Sequence, residues 1–184
     1  GVEQLTEGRI LMSGQEVQFR GTEEARRHGI GIVFQELNLF SNMTVAENIF
    51  IGREITRGGV DIDMAAQRAE TRRLMQRLEH DIDPDTLVGE LRVGQQQIIV
   101  IAKSLAQDAR ILILDEPTSA LSAAEVDILF RVIAELKRDG VGIVYISHRL
   151  EELIRIGDYI TVLRDGAITG ARSMEGVDVP WIVR

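Results

Sequence analysis

The sequence predicts an α/β fold: a mainly parallel sheet with an α-helical subdomain inserted into it. Three runs, residues 30–34, 111–114 and 141–146, are continuously apolar and largely β-branched or leucine, as strands buried on both faces are. Helical patterns follow the second and third runs, as crossovers between parallel strands require. Between residues 36 and 108 strand signals fade and helical periodicity takes over, so this stretch reads as the insertion.

Taken in order, residues 8–13 and 16–20 read as two short strands around the turn signal Ser13-Gly14. Residues 22–28 read as a short helix capped by Thr22 and ended by Gly29. Thr44 and Glu47 have the spacing of a capping box. Residues 63–80 form a long amphipathic pattern, with Ala66, Ala69, Leu74 and Leu78 among its apolar positions, and residues 94–106 form a second helix. Residues 123–138 place Val126, Leu129, Phe130, Ile133 and Leu136 on one helical face. A short helix is expected near 150–154. Residues 159–163 and 167–171 flank Arg164-Asp165-Gly166, where Asp-Gly signals a hairpin.

Bulk properties bound the function. A length of 184 residues suits one domain with a sizeable core. The net charge of −8 argues against a nucleic-acid partner. The absence of cysteine excludes disulfides and thiolate metal sites. No apolar run is long enough to span a bilayer. The start, Gly1-Val2-Glu3-Gln4, has no initiating Met and no leader pattern, and reads as an excerpt from a longer chain. His28 and His80 are expected at surface helix ends.

The chemistry concentrates at Asp115-Glu116-Pro117-Thr118, directly after the apolar run 111–114. In an open parallel sheet, ligands bind at the C-terminal ends of strands. Adjacent residues on a strand point to opposite sides, so the two carboxylates have different tasks. One can hold Mg²⁺, and the other can orient and polarise an attacking water.

This segment resembles the Walker B strand and catalytic glutamate of ABC-type ATPases, and four further motifs follow that family's order. Gln35 matches the Q-loop glutamine. Leu91-Arg92-Val93-Gly94-Gln95-Gln96-Gln97 matches the signature segment, Ser119-Ala120-Leu121-Ser122 the D-loop, and His148 the switch histidine. The resemblance implies a P-loop-NTPase-like ABC cassette that binds ATP and Mg²⁺. Glu116 and His148 would be catalytic, and Asp115 and Gln35 would hold the metal. Gln35, Arg92, Val93, Gly94, Gln95 and Ser122 would contact nucleotide, the signature group in trans across a dimer of cassettes. It also implies three parts: residues 1–35 with the Q-loop, 36–108 as helical subdomain, and 109–184 with the hydrolytic motifs and C-terminal hairpin.

Phe34-Gln35-Glu36-Leu37-Asn38-Leu39-Phe40, Ser147-His148-Arg149-Leu150-Glu151-Glu152 and Val162-Leu163-Arg164-Asp165-Gly166 look like carbohydrate importers with two fused cassettes, and the first of these cassettes in particular. The implied partners are membrane permease subunits, a second ABC cassette and, indirectly, a periplasmic sugar-binding protein. The implied location is the cytoplasmic face of a bacterial inner membrane. An alternative is a truncated, catalytically incompetent cassette acting as a binding or regulatory module. It arises because a P-loop needs Gly-x-x-x-x-Gly-Lys-Ser/Thr, and neither of the two lysines, Lys103 and Lys137, follows a glycine. Lacking its N-terminal strands and P-loop helix, the sheet is expected to keep apolar edges unpaired. Two positions depart from the family pattern: Arg92 stands where the signature serine is expected, and Ser122 where the D-loop aspartate is expected.

Overall fold

The computed structural model describes residues 3, 5–34, 36–107 and 109–183. Strands β1 (Ile10–Met12) and β2 (Gln15–Val17) form an antiparallel ribbon around Ser13-Gly14. Helix α1 (Thr22–Arg27) follows, then β3 (Ile30–Val33). Gly21 occupies the N-cap of α1 and Thr22 is already helical, so Thr22 does not cap it. Instead, the Arg20 N–H donates to Glu24 Oε2 at 2.7 Å, which anchors the first turn.

The inserted stretch holds α2 (Val45–Phe50), a two-residue ribbon of β4 (Thr56–Arg57) and β5 (Asp61–Ile62), α3 (Met64–Arg77) and α4 (Val93–Leu105). The capping box on α2 forms as the spacing implies. Thr44 Oγ1 accepts from the Glu47 N–H, and Glu47 Oε2 accepts from the Thr44 N–H. Asp63 caps α3 through the Ala66 N–H. The buried face of α3 differs from the apolar pattern in the sequence. It includes Gln67 and Thr71 beside Leu74 and Met75, on a helix packed against α2 and α4, while Ala65, Ala69, Arg72, Arg73 and Gln76 are exposed.

The chain then returns to the sheet through β6 (Ile111–Asp115), α5 (Ala123–Arg138), β7 (Gly142–Ile146) and α6 (Leu150–Ile156). It ends in a hairpin of β8 (Tyr159–Arg164) and β9 (Ala167–Ser173) and the helix α7 (Val179–Val183). The hairpin turn is the one Asp-Gly predicts, with Asp165 and Gly166 both at positive φ.

The central sheet is parallel, in the order β3-β6-β7. Its register aligns Val33, Leu114 and Tyr145 on one face, and Ile32, Ile113 and Val144 on the other. The first face is buried under α4 and α5: Val33, Leu112 and Leu114 join one core cluster with Ile98, Ile99, Leu129 and Ile133. The second face is open. Ile32, Val144 and Ile146 are 41%, 48% and 47% exposed. The expectation of strands buried on both faces therefore fails for β3 and β7, because α4 and α5 cover the same face. The expectation of unpaired apolar edges holds among the described residues. β7 pairs only with β6, β8 pairs only with β9, and an apolar slot of about 740 Å³ lined by Ile143, Ile146, Leu153, Ile160 and Val162 separates β7 from β8.

Candidate functional site

Three of the residues singled out from the sequence meet at the C-terminal end of the parallel sheet. Asp115 ends β6 in register with Ile146, the last residue of β7. The chain then turns sharply. Glu116 has φ 48°, in the left-handed region that a non-glycine residue enters only when its surroundings hold it there. Two backbone bonds hold it: the Glu116 N–H donates to the Ile146 carbonyl at 2.9 Å, and the Ser119 N–H donates to the Glu116 carbonyl at 3.2 Å. The turn brings the Glu116 carboxylate to His148, whose Nδ1 lies 2.9 Å from Glu116 Oε1. A carboxylate oxygen can only accept, so Nδ1 carries the hydrogen of this contact and Nε2 is left to act on a ligand. His148 is largely open to solvent, whereas Glu116 is mostly covered.

A buried carboxylate that bonds the neighbours of this pair was not singled out from the sequence. Glu152, in α6, is 8% exposed. Its carboxylate accepts from Thr118 Oγ1 at 2.9 and 3.0 Å, the Tyr145 hydroxyl at 2.8 Å and Ser147 Oγ at 3.1 Å. Burial, reinforced by the bond to Glu152, pushes the Tyr145 phenol well above its ordinary range. The available signal was an acidic pair, Glu151-Glu152, on a short helix one turn past His148. An acidic pair on a helix reads by default as a solvated surface, and only the fold shows that one of the two is buried.

The signature residues form a second cluster, at the N-terminus of α4. Arg92 is the N-cap residue, and its N–H donates to Gln95 Oε1 at 3.1 Å. A guanidinium has no acceptor, so Arg92 cannot complete the reciprocal half of a capping box. The first-turn amides therefore have no side-chain cap, and such amides are suited to an anion. Val93 is 59% exposed at this tip. Gly94 packs against the D-loop of the same chain: a Cβ there would lie 3.1 Å from the Ala120 carbonyl oxygen. That close approach explains the glycine without invoking a ligand.

Ser122 is engaged locally. It is the N-cap of α5 in a full capping box with Glu125, its hydroxyl donating to Glu125 Oε2 at 2.7 Å. Hydrogen bonds from the Ser122 backbone and hydroxyl hold the Glu125 carboxyl below its ordinary range. His80 differs from expectation, being half-buried with an enclosed Nε2 that has no hydrogen-bond partner. His28 does sit at an exposed helix end, its Nδ1 2.8 Å from the Glu24 carbonyl oxygen. Gln35 lies outside the described residues. No cluster of three acidic or histidine ligands occurs among the described residues, and no helix among them is long and apolar enough to cross a membrane.

Comparison with known proteins bears on the family and the fold. The chain is 48% identical over 185 residues to the ribose import ATP-binding protein RbsA of Chromobacterium violaceum, covering 100% of this chain and 37% of that protein. It is 50% identical over 170 residues to the protein of the same name from Rhodopirellula baltica, covering 92% of this chain and 33% of that one. The chain thus spans about a third of the length of these relatives. Among solved structures, a dimeric ATP-binding cassette in a post-hydrolysis state, bound to ADP and Pi, superposes with a TM-score of 0.80 at 25% identity, covering 94% of this chain and 76% of that one. The family model described as ABC transporter matches residues 1–119, and the chain belongs to the ABC transporter family.

Proposed function

We propose that this chain is the water-activating and trans-contacting part of an ATP-hydrolysing cassette that energises sugar import through a membrane permease. The observation that carries the proposal is the Glu116–His148 contact of 2.9 Å at the C-terminal end of a parallel sheet, with Asp115 adjacent. The whole-chain likeness to ribose import ATP-binding proteins supports the substrate class.

In this reading Glu116 orients the attacking water and draws off its proton. His148, turned by its Nδ1 bond, offers Nε2 to the terminal phosphate. The uncapped amides of Val93 and Gly94, with the Arg92 guanidinium beside them, meet phosphate held by a second cassette. Gln95 and Ser122 act through the backbone they fix, since their side chains are already bonded. Mg²⁺ fits the donor set, because Asp115 supplies one hard oxygen and this ion takes most of its remaining ligands from water and phosphate. Asp115 and Gln35 would hold it, and when bound it offsets the charge that develops on the phosphate.

Residues 36–108 would be a helical unit that moves with the Q-loop and meets the permease. The slot between β7 and β8 would seat one further strand. We place the working protein at the cytoplasmic face of the inner membrane, with a periplasmic sugar-binding protein acting upstream of the permease.

A paired experiment tests the reading. The 184-residue chain, which has no Gly-Lys-Ser/Thr segment, should show no micromolar ATP affinity by calorimetry. A chimera in which it replaces its aligned counterpart in the Chromobacterium violaceum protein should hydrolyse ATP with Mg²⁺ and restore ribose uptake. A folded chimera without turnover would refute the assignment.

A further inference from the structure

We propose that Glu152 is a positioning residue that staples the loop carrying Glu116 to the loop carrying His148. Thr118 lies two residues beyond Glu116, and Ser147 immediately precedes His148. Both hydroxyls donate to the Glu152 carboxylate, as does Tyr145 from the strand between them. Ser147 is fixed at both ends, because its Oγ also accepts from the Arg149 N–H at 3.0 Å. Arg149 approaches Glu152 Oε1 at 3.4 Å and supplies a cationic contact. One nearly buried group thus receives donors from the loop after β6, from β7, and from the loop after β7.

The chemistry requires a carboxylate. Its two oxygens offer about four acceptor sites and no donor, which suits three hydroxyls and a guanidinium. A glutamine of the same shape presents one acceptor and turns an NH₂ toward the remaining donors. An aspartate retracts the carboxylate by one methylene. The staple also explains how Glu116 keeps a left-handed backbone. Its own N–H is tied to β7, and two residues later Thr118 is tied to α6, so the turn cannot relax toward ordinary φ without breaking both ties. The His148–Glu116 contact is made by a largely exposed ring. Alone it would compete poorly with water, and the buried staple holds its two ends together.

The functional consequence rests on the reading of Glu116 and His148 as the hydrolytic pair, but the geometric claim can be tested without nucleotide. In the ¹⁵N-labelled 184-residue chain, long-range ¹H–¹⁵N spectra at one fixed pH report which ring nitrogen of His148 carries the proton. A His148→Asn variant identifies the signals. The expected result is an Nδ1–H signature in the parent chain that is lost in Glu152→Gln, with amide signals of α2 to α4 unchanged. Thr118→Val, which removes one arm and leaves the carboxylate, should weaken the signature and stands in if Glu152→Gln fails to fold. An unchanged His148 signature in either folded variant overturns the staple, because a merely structural Glu152 would lower stability without altering the tautomer. In the chimera, Glu152→Gln should lower kcat about tenfold or more with little change in KM. A chimera inactive with its parent sequence would count against the proposed function and leave the ring measurement standing.

Discussion

Asn48 shows how much of the helical layer depends on one polar side chain. It is fully buried. Its Oδ1 accepts from the Phe40 N–H at 2.8 Å, and its Nδ2 donates to the carbonyls of Phe40, Met43 and Thr44. These bonds pin the segment that leads from β3 into α2. Asn48→Ala takes the side-chain acceptor from the Phe40 N–H, while the carbonyls of Phe40, Met43 and Thr44 keep backbone donors from Met43, Val88 and Asn48; one donor left unmet costs ~1–3 kcal/mol. The variant should lose ~1–3 kcal/mol in urea unfolding. A loss under ~1 kcal/mol would show that the segment holds itself without Asn48. The same residue-scale logic separates what the sequence reveals from what it hides. Glu116 and His148 are legible because strand ends and motif spacing place them. Glu152, Asn48 and His80 are not, because nothing local distinguishes a buried polar side chain from a solvated one.

At the scale of elements, caps are the most legible feature and carry a pH dependence. Glu47 and Glu125 each accept from the N-cap residue of their helix, and those hydrogen bonds hold both carboxyls below their ordinary range. A carboxyl whose folded pKa is depressed stabilises the fold above its unfolded value, and that contribution disappears as pH falls through the folded value. The urea midpoint should therefore drop as pH falls from about 4.5, the ordinary glutamate value, toward 3. Glu47→Gln combined with Glu125→Gln should flatten that drop. An identical acid profile in the double variant would show that the caps do not report on folding. Thr44 is found from sequence because a capping box is local in the chain, whereas the equally spaced Ser122 and Glu125 are hidden behind the D-loop resemblance. Thr22 misleads because Gly21, one residue earlier, takes the N-cap position.

For the whole molecule, the parallel sheet, the inserted helices and the hairpin are readable because each depends on periodicity within one segment. The open face is not readable. Ile32, Val144 and Ile146 look like residues of fully covered strands, yet which face a helix covers is decided by topology, and α4 and α5 choose the same one. The two site clusters follow from this topology: Asp115, Glu116 and His148 at the strand ends, and Arg92 to Gln95 at the tip of α4. Their division of labour is the central claim, and Glu116 is its most exposed point. The direct measurement is steady-state ATP hydrolysis by the chimera with and without Glu116→Gln, at saturating Mg²⁺ and ATP. Removing the group that activates water should lower kcat by about 10²–10⁴-fold while KM for ATP changes little. Undiminished turnover in the Glu116→Gln chimera would contradict the assignment of this strand end as the hydrolytic centre.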